Sequence, residues 1–75
     1  MYHTIEFNVD LWVDLERSPR HPLEKMLICR GSRRRAEVRP RIIENEDGAV
    51  EVADLFFEDG AAARGVPFAA FRFLD

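Results

Sequence analysis

A chain of 75 residues, 47% of them hydrophobic and 33% charged, suits one globular domain over residues 1–75 and excludes a disordered protein. Its single cysteine, Cys29, excludes an internal disulfide and favours a reducing compartment, so we predict a cytoplasmic location and a small, buried Cys29 side chain. No apolar run approaches the ~20 residues that span a bilayer, and no secretory signal pattern is present, so we predict no membrane partner.

The first segment alternates strictly between apolar and polar residues. From Ile5 to Leu15 every odd position is apolar, and from Thr4 to Glu16 every even position except Trp12 is polar. This period of two predicts one long strand over residues 2–16. Fifteen residues at ~3.3 Å each would extend about 50 Å, whereas a compact domain of this length is roughly 30 Å across. We therefore expect the strand to bend around the core or to reach a second subunit.

The segment after this strand has two interpretations. The prolines at positions 19 and 22 end the strand. Residues 22–30 then form either a short helix, with Pro22 in its first turn and Gly31 after its end, or a strand followed by a turn at Gly31 and Ser32. We favour the helix slightly, because a helix lying across the apolar face of the first strand would complete a small core.

The remaining chain predicts a three-stranded meander. Strands over residues 36–44, 49–57 and 66–74 are separated by turns at residues 45–48 and 58–60, both ending in glycine. Pro40 indicates a sheet edge or a bulge, and the alternation slips near Asp54, which indicates a bulge or burial of both faces of that strand. The fold class is mainly β, with α+β as the alternative: a small antiparallel sheet or partly open barrel of four to five strands.

We expect the core to be formed by the apolar faces of these strands and by most of the phenylalanines. The predicted core residues are Ile5, Phe7, Val9, Leu11, Val13, Leu27, Val50, Val52, Leu55, Phe57, Phe68, Phe71 and Phe73.

The net charge of −3 conceals a segregation along the chain. Residues 17–41 carry nine bases against two acids, a net +7, whereas the rest carries two bases against twelve acids, a net −10. Arginine grips phosphate with a planar pair of hydrogen bonds, so the segment provides a candidate anion site. The residues of this candidate site are Arg30, Arg33, Arg34, Arg35 and Arg39. Neutralisation of the arginines within the fold is the favoured alternative, because the protein is acidic overall and carries carboxylates on neighbouring predicted strands.

The interval from Arg35 to Arg39 resembles the Arg-x-x-x-Arg spacing of PilZ domains, which are small β-barrels that bind cyclic dinucleotides. The resemblance implies a cyclic-dinucleotide ligand for these two arginines. In that family a later Asp/Asn-x-Ser-x-x-Gly motif completes the site. Here the nearest candidate begins at Asp54 and lacks the serine, so we do not assign the chain to the family.

No residue pattern indicates a catalytic centre, a cofactor or a metal site. Trp12 lies on the polar face of the first strand, where a tryptophan is either covered by another element or belongs to an interface. We take Trp12 and Tyr2 as candidate interface residues. The leading hypothesis is a non-enzymatic, homo-oligomeric protein-interaction module. The alternative is arginine-dependent binding of nucleic acid, the less favoured partner, or of a phosphorylated or cyclic-dinucleotide ligand.

Overall fold

The computed structural model describes residues 1–17, 20 and 22–75, and these residues form one antiparallel sheet curved into an open half-barrel. The sheet has seven strands in the order β3-β2-β6-β5-β4-β1-β7. The strands are β1 (His3–Phe7), β2 (Leu11–Glu16), β3 (Glu24–Ile28), β4 (Arg33–Asn45), β5 (Gly48–Phe57), β6 (Ala62–Pro67) and β7 (Phe71–Phe73). The mainly β class is confirmed, although the strand count exceeds the four to five that we predicted.

The segment that predicted one long strand forms two. The chain leaves the ladder after Phe7, where the Asn8 N–H donates to the Ala70 carbonyl at 2.8 Å and the Asn8 side-chain amide donates to Ala69 at 3.3 Å. β1 then pairs with β4 and β7, whereas β2 pairs with β3 and β6 on the other side of the half-barrel. The prediction of a single strand is wrong. Because the break lets the segment curve within one subunit, its length is no longer evidence for a second subunit.

Residues 24–28 form a strand, so the slightly favoured helix is wrong. Ile28 is buried and Met26 packs against the core, which leaves the alternate residues of β3 outside. The chain turns at Gly31, whose φ of +88° favours glycine. This turn does not form a hairpin, because β3 and β4 are not adjacent in the sheet. Cys29 is exposed just after β3, so its predicted burial is also wrong. The predicted strand end at residues 18–22 lies partly outside the described residues.

The predicted meander is confirmed as β4, β5 and β6. Its first turn leads into Gly48 (φ +123°), its second contains Gly60 (φ +91°), and an irregularity lies beside Asp54 as expected. There the extra residue belongs to β6, and Gly65 adopts a φ of +70°. The predicted last strand is divided, because a 3-10 turn at Phe68–Ala70 separates β6 from β7.

The core fills the concave face of the half-barrel. Many of its buried residues are alanines, whose small side chains let neighbouring strands curve closely together. Six of the predicted core residues are buried: Ile5, Phe7, Val13, Val52, Leu55 and Phe71. Three more are partly buried against the core: Leu11, Phe57 and Phe68. The remaining four are exposed, and the prediction for them is wrong: Val9, Leu27, Val50 and Phe73.

Candidate interaction surfaces

Strand alternation distributes the arginines at the start of β4 over two faces of the sheet. Arg33 lies directly opposite Glu6 of β1, and its Nε is 3.0 Å from a Glu6 carboxylate oxygen. The Nε of Arg35 is 3.3 Å from a carboxylate oxygen of Glu58, which directly follows β5, the other neighbour of β4. Arg34, between them, lies opposite buried Ile5 and therefore belongs to the concave face. All three arginines nevertheless line one open pocket, together with Phe57, Glu58 and Asp59.

Glu6 is shared by arginines from the two strands that flank it. Arg72 of β7 also lies opposite Glu6 and reaches its other oxygen at 2.8 Å. Hydrogen bonds from Arg72 and then Arg33 lower the pKa of the Glu6 carboxyl below its ordinary value, because both stabilise its charged form. The ion pair with Glu6 therefore neutralises Arg33, one of the predicted anion-binding arginines, within the fold.

Arg39 also has partners within its own subunit. Its Nη2 is 2.9 Å from a carboxylate oxygen of Glu37, and its guanidinium carbon lies 4.7 Å from the centre of the Phe56 ring. Arg64 approaches the same ring at 5.4 Å and pairs with Glu16 at 3.2 Å. An arginine over an aromatic face is stabilised by the negative charge of the ring face. Arg39 is thus part of a packed convex surface and lies apart from Arg30.

Asp54 is the most enclosed carboxylate of this convex surface. Its Oδ1 accepts the Gly65 N–H at 2.8 Å, both of its oxygens lie 3.1 Å from Arg41 Nε, and Arg64 Nη1 is 3.9 Å away. Partial burial raises the pKa of Asp54, but the Gly65 N–H and then Arg41 outweigh it, so the pKa is lowered. Carboxylates therefore meet much of the basic segment inside the domain, as the neutralisation hypothesis predicts.

Two of the five predicted anion-binding arginines keep guanidinium groups with no ion pair among the described residues. Among the described residues, Arg30 contacts a carboxylate only through its backbone N–H, which donates a hydrogen bond to Asp10 Oδ1 at 2.7 Å. Arg34 lies in a cleft at the open end of the concave face. The cleft is lined by Leu15, Arg17, Met26, Ile28, Arg34, Phe57, Asp59 and Ala61. We call Arg30, Arg33, Arg34 and Arg35 together the arginine end.

The two candidate interface residues lie in separate regions of the sheet. Trp12 is 67% exposed on the convex face of β2, and its cross-strand neighbour Leu27 on β3 is 40% exposed. β3 is the last strand on its side of the sheet. Tyr2 precedes β1, and β6, β5 and β4 lie between β1 and β2, so the sheet does not bring Tyr2 and Trp12 together.

The structure also shows a surface that the sequence reasoning did not identify. β4 and β5 continue past their neighbours, since β1 pairs with β4 only as far as Ala36 and β6 pairs with β5 only as far as Val52. Residues 42–51 therefore form a two-stranded ribbon, which we call the arm. Ile42 is 65% exposed and Val50 is 49% exposed on it, and Ile43 is also exposed. The sequence contains a signal for this arm, because apolar residues flank the strong turn at residues 45–48, but the core prediction included Val50.

Within the described residues, no three histidine, cysteine, aspartate or glutamate side chains are grouped to hold a metal ion. The same part of the chain has no helix with the length and apolar character needed to cross a membrane. No protein-family model, curated protein or solved structure matches this chain.

Proposed function

We propose that this protein is a cytoplasmic, non-enzymatic protein-interaction module that works as a homo-oligomer. The observation that supports this most directly is the exposed pair of Trp12 and Leu27 beside the outermost strand β3. Tryptophan is enriched among the residues that dominate interface energetics, because its large ring loses much water-exposed area on association. We propose that this pair and the free edge of β3 form the contact with a second copy.

The position of the pair supports an isologous contact. An edge strand carries unpaired backbone N–H and C=O groups along its outer side, and a second strand can satisfy them. β3 is short and carries Glu24 and Lys25, two charges that restrain indiscriminate pairing. When two copies of β3 pair antiparallel across a two-fold axis, the Trp12–Leu27 surfaces of both copies lie on one continuous face.

The small size of the domain gives oligomerisation a physical reason. A core of this size rarely supplies more than about 3–5 kcal/mol, and small domains often gain stability from a partner subunit. Many of the buried side chains here are alanines, which contribute little apolar area each.

Light scattering coupled to size exclusion, at tens of micromolar protein and 0.5 M salt, tests the proposal. We expect a dimer for the wild type, and a shift towards monomer for the Trp12→Ser variant. Loss of one dominant interface residue weakens association by about 2 kcal/mol or more, which is about 30-fold. Because Trp12 is exposed in one subunit, circular dichroism of the variant should show an unchanged fold.

Val9→Ser is the matched control, since Val9 is also an exposed apolar residue but lies in the connection between β1 and β2. It should leave the dimer intact. A monomeric wild type at this concentration would overturn the proposal. Equal dimerisation of the Trp12 variant would place the contact elsewhere.

A second candidate function is arginine-dependent binding of nucleic acid or of a phosphorylated or cyclic-dinucleotide ligand. It is favoured by one observation, the guanidinium groups of Arg30 and Arg34 that form no ion pair among the described residues. Fluorescence polarisation with labelled single- and double-stranded oligonucleotides and a labelled cyclic dinucleotide tests it at low salt. Binding that weakens with salt and disappears in Arg30→Ala/Arg34→Ala would support it, and absence of binding would end it.

A further inference from the structure

The two ends of β4 carry opposite charge. The arm, residues 42–51, contains Glu44, Glu46, Asp47 and Glu51 and no base, a net charge of −4. The arginine end, residues 30–35, contains four arginines and no acid, a net charge of +4 along the chain. The fold places Glu6, Glu58 and Asp59 beside these arginines, and the guanidinium groups of Arg30 and Arg34 still form no ion pair among the described residues. Both segments are largely exposed. The segregation visible along the sequence is therefore a separation in space along one 13-residue strand.

The two ends cannot neutralise each other within one subunit. Arg35 and Glu44 are nine residues apart on a continuous strand, which at ~3.3 Å per residue is about 30 Å. Electrostatic interaction between exposed charges is screened over about 8–10 Å at physiological ionic strength. Carboxylates elsewhere reach Arg33 and Arg35, but the side chains of Glu44 and Glu46 have no arginine or lysine partner among the described residues.

The arm also has apolar surface that its own subunit does not cover. A two-stranded ribbon in water is marginally stable on its own, and the exposed side chains of Ile42, Ile43 and Val50 gain stability when they are buried. At the arginine end, Arg34 lines a small cleft whose apolar members are buried Ile28 and partly buried Met26 and Phe57. The two surfaces are therefore complementary in charge, and the exposed apolar side chains of the arm can be covered at the rim of the cleft.

We infer that the arm of one copy docks on the arginine end of a second copy. The carboxylates of Glu44 and Glu46 meet Arg30 and Arg34, and an isoleucine of the arm covers the apolar cleft. This inference rests on the proposed homo-oligomer but uses a different surface from the Trp12 contact. Because the two patches differ, the contact is heterologous, so it joins copies head to tail and extends the assembly beyond a dimer.

Charge reversal at the two ends tests this contact. The arm variant is Glu44→Lys/Glu46→Lys, and the end variant is Arg30→Glu/Arg34→Glu. Neither pair of substitutions removes an ion pair seen among the described residues. Light scattering at 20 mM salt should show species larger than a dimer for the wild type, and these should shrink at 0.5 M salt. Each variant alone should self-associate head to tail about 10- to 100-fold more weakly.

An equimolar mixture of the two variants provides the decisive measurement. Each double substitution brings the net charge of its segment to zero and reverses the charge at two positions. In the mixture, positions 44 and 46 of the arm variant meet positions 30 and 34 of the end variant with opposite charges, and the unaltered arm and end of the two proteins also match. The larger species should therefore return in the mixture at 20 mM salt, and circular dichroism should show both variants folded. A wild type whose size does not change between the two salt concentrations overturns the inference, and so does a mixture that stays small.

The two proposals fail in different ways. Trp12→Ser should lower the molecular mass at 0.5 M salt but keep the increase in mass between 0.5 M and 20 mM salt. Charge reversal should abolish that increase and leave the mass at 0.5 M salt unchanged. Fluorescence polarisation with a labelled oligonucleotide distinguishes docking of a second copy from binding of nucleic acid at the same arginines. If the end variant loses nucleic-acid binding while the wild type shows no salt-dependent assembly, then Arg30 and Arg34 bind nucleic acid and the docking inference is wrong.

Discussion

Replacement of Asp54 tests how far the convex surface stabilises the fold. Its side chain is only 15% exposed and joins three strands, because it lies on β5, accepts the N–H of Gly65 on β6 and pairs with Arg41 on β4. We compare Asp54→Asn, which keeps an oxygen as acceptor for that N–H, with Asp54→Ala, which leaves no acceptor. The difference separates the hydrogen bond at the bulge from the ion pair.

The expected magnitudes follow from the exposure of each partner. A hydrogen bond to a charged group contributes about 1.5–3 kcal/mol, and the Gly65 N–H is partly buried. The Arg41 side chain is 46% exposed, which limits its ion pair to about 0.2–1 kcal/mol. We expect the free energy of unfolding to fall by about 2–3 kcal/mol in Asp54→Ala and by about 1 kcal/mol in Asp54→Asn. Arg41→Ala, the matched control, should cost less than about 1 kcal/mol.

Urea unfolding followed by circular dichroism, at fixed protein concentration and 0.5 M salt, measures these differences. The pH dependence adds a second readout. Because the folded pKa of Asp54 is lowered from its ordinary value of 3.8, the charged form contributes stability above that value. This contribution is lost as the pH falls from about 3.8 through the lowered folded pKa. Asp54→Asn should therefore lose less stability than the wild type over this range.

Two results would refute this reasoning. Equal destabilisation by Asp54→Asn and Asp54→Ala would mean that the Gly65 N–H does not depend on the Asp54 oxygen. An unchanged acid dependence in Asp54→Asn would mean that the charge of Asp54 contributes nothing in the folded state.

Gly65→Ala should lower the free energy of unfolding by about 1 kcal/mol, because φ is +70° and the new Cβ would lie 3.4 Å from an arginine nitrogen; equal stability in urea would contradict this. Glu6 should titrate below its ordinary pKa in carbon-detected NMR, and Arg72→Ala should move that pKa upward, whereas an unmoved pKa would exclude Arg72 as the main cause. Ile42→Asn should change the free energy of unfolding by less than about 0.5 kcal/mol at 0.5 M salt, whereas Leu55→Ala should cost about 2–5 kcal/mol. Comparable losses in urea would mean that the arm is part of the core.

Local patterns predicted what depends on neighbours in the chain. The alternation identified Ile5 and Val13 as core residues, although it assigned them to one strand, and the glycines at positions 48 and 60 located both turns of the meander. The slip in alternation near Asp54 predicted an irregularity at the right place, but the extra residue lies on β6, opposite Asp54, and not on β5. The strand class followed from these local signals.

The errors fall where the partner of a residue decides its environment. Period-two alternation continues through Val9 although the chain leaves the ladder there, since Asn8 bonds to a distant 3-10 turn. Residues 24–28 have good helix formers, yet they pair with β2, which would otherwise be an edge. Val50 is exposed because β6 pairs with β5 only as far as Val52. Leu27 is exposed because it lies on the outer face of β3, opposite Trp12, whereas its neighbours Met26 and Ile28 face the core.

By itself the sequence determined that the chain is β-rich, where the two turns of its meander lie, and that its charge is divided between a basic segment and an acidic remainder. Only the tertiary structure decided which charges meet. Strand pairing brings Glu6 between two arginines and leaves the Arg34 side chain without an ion pair among the described residues. The same pairing makes residues 42–51 an arm, because the extent of the neighbouring strands depends on contacts between residues far apart in the chain.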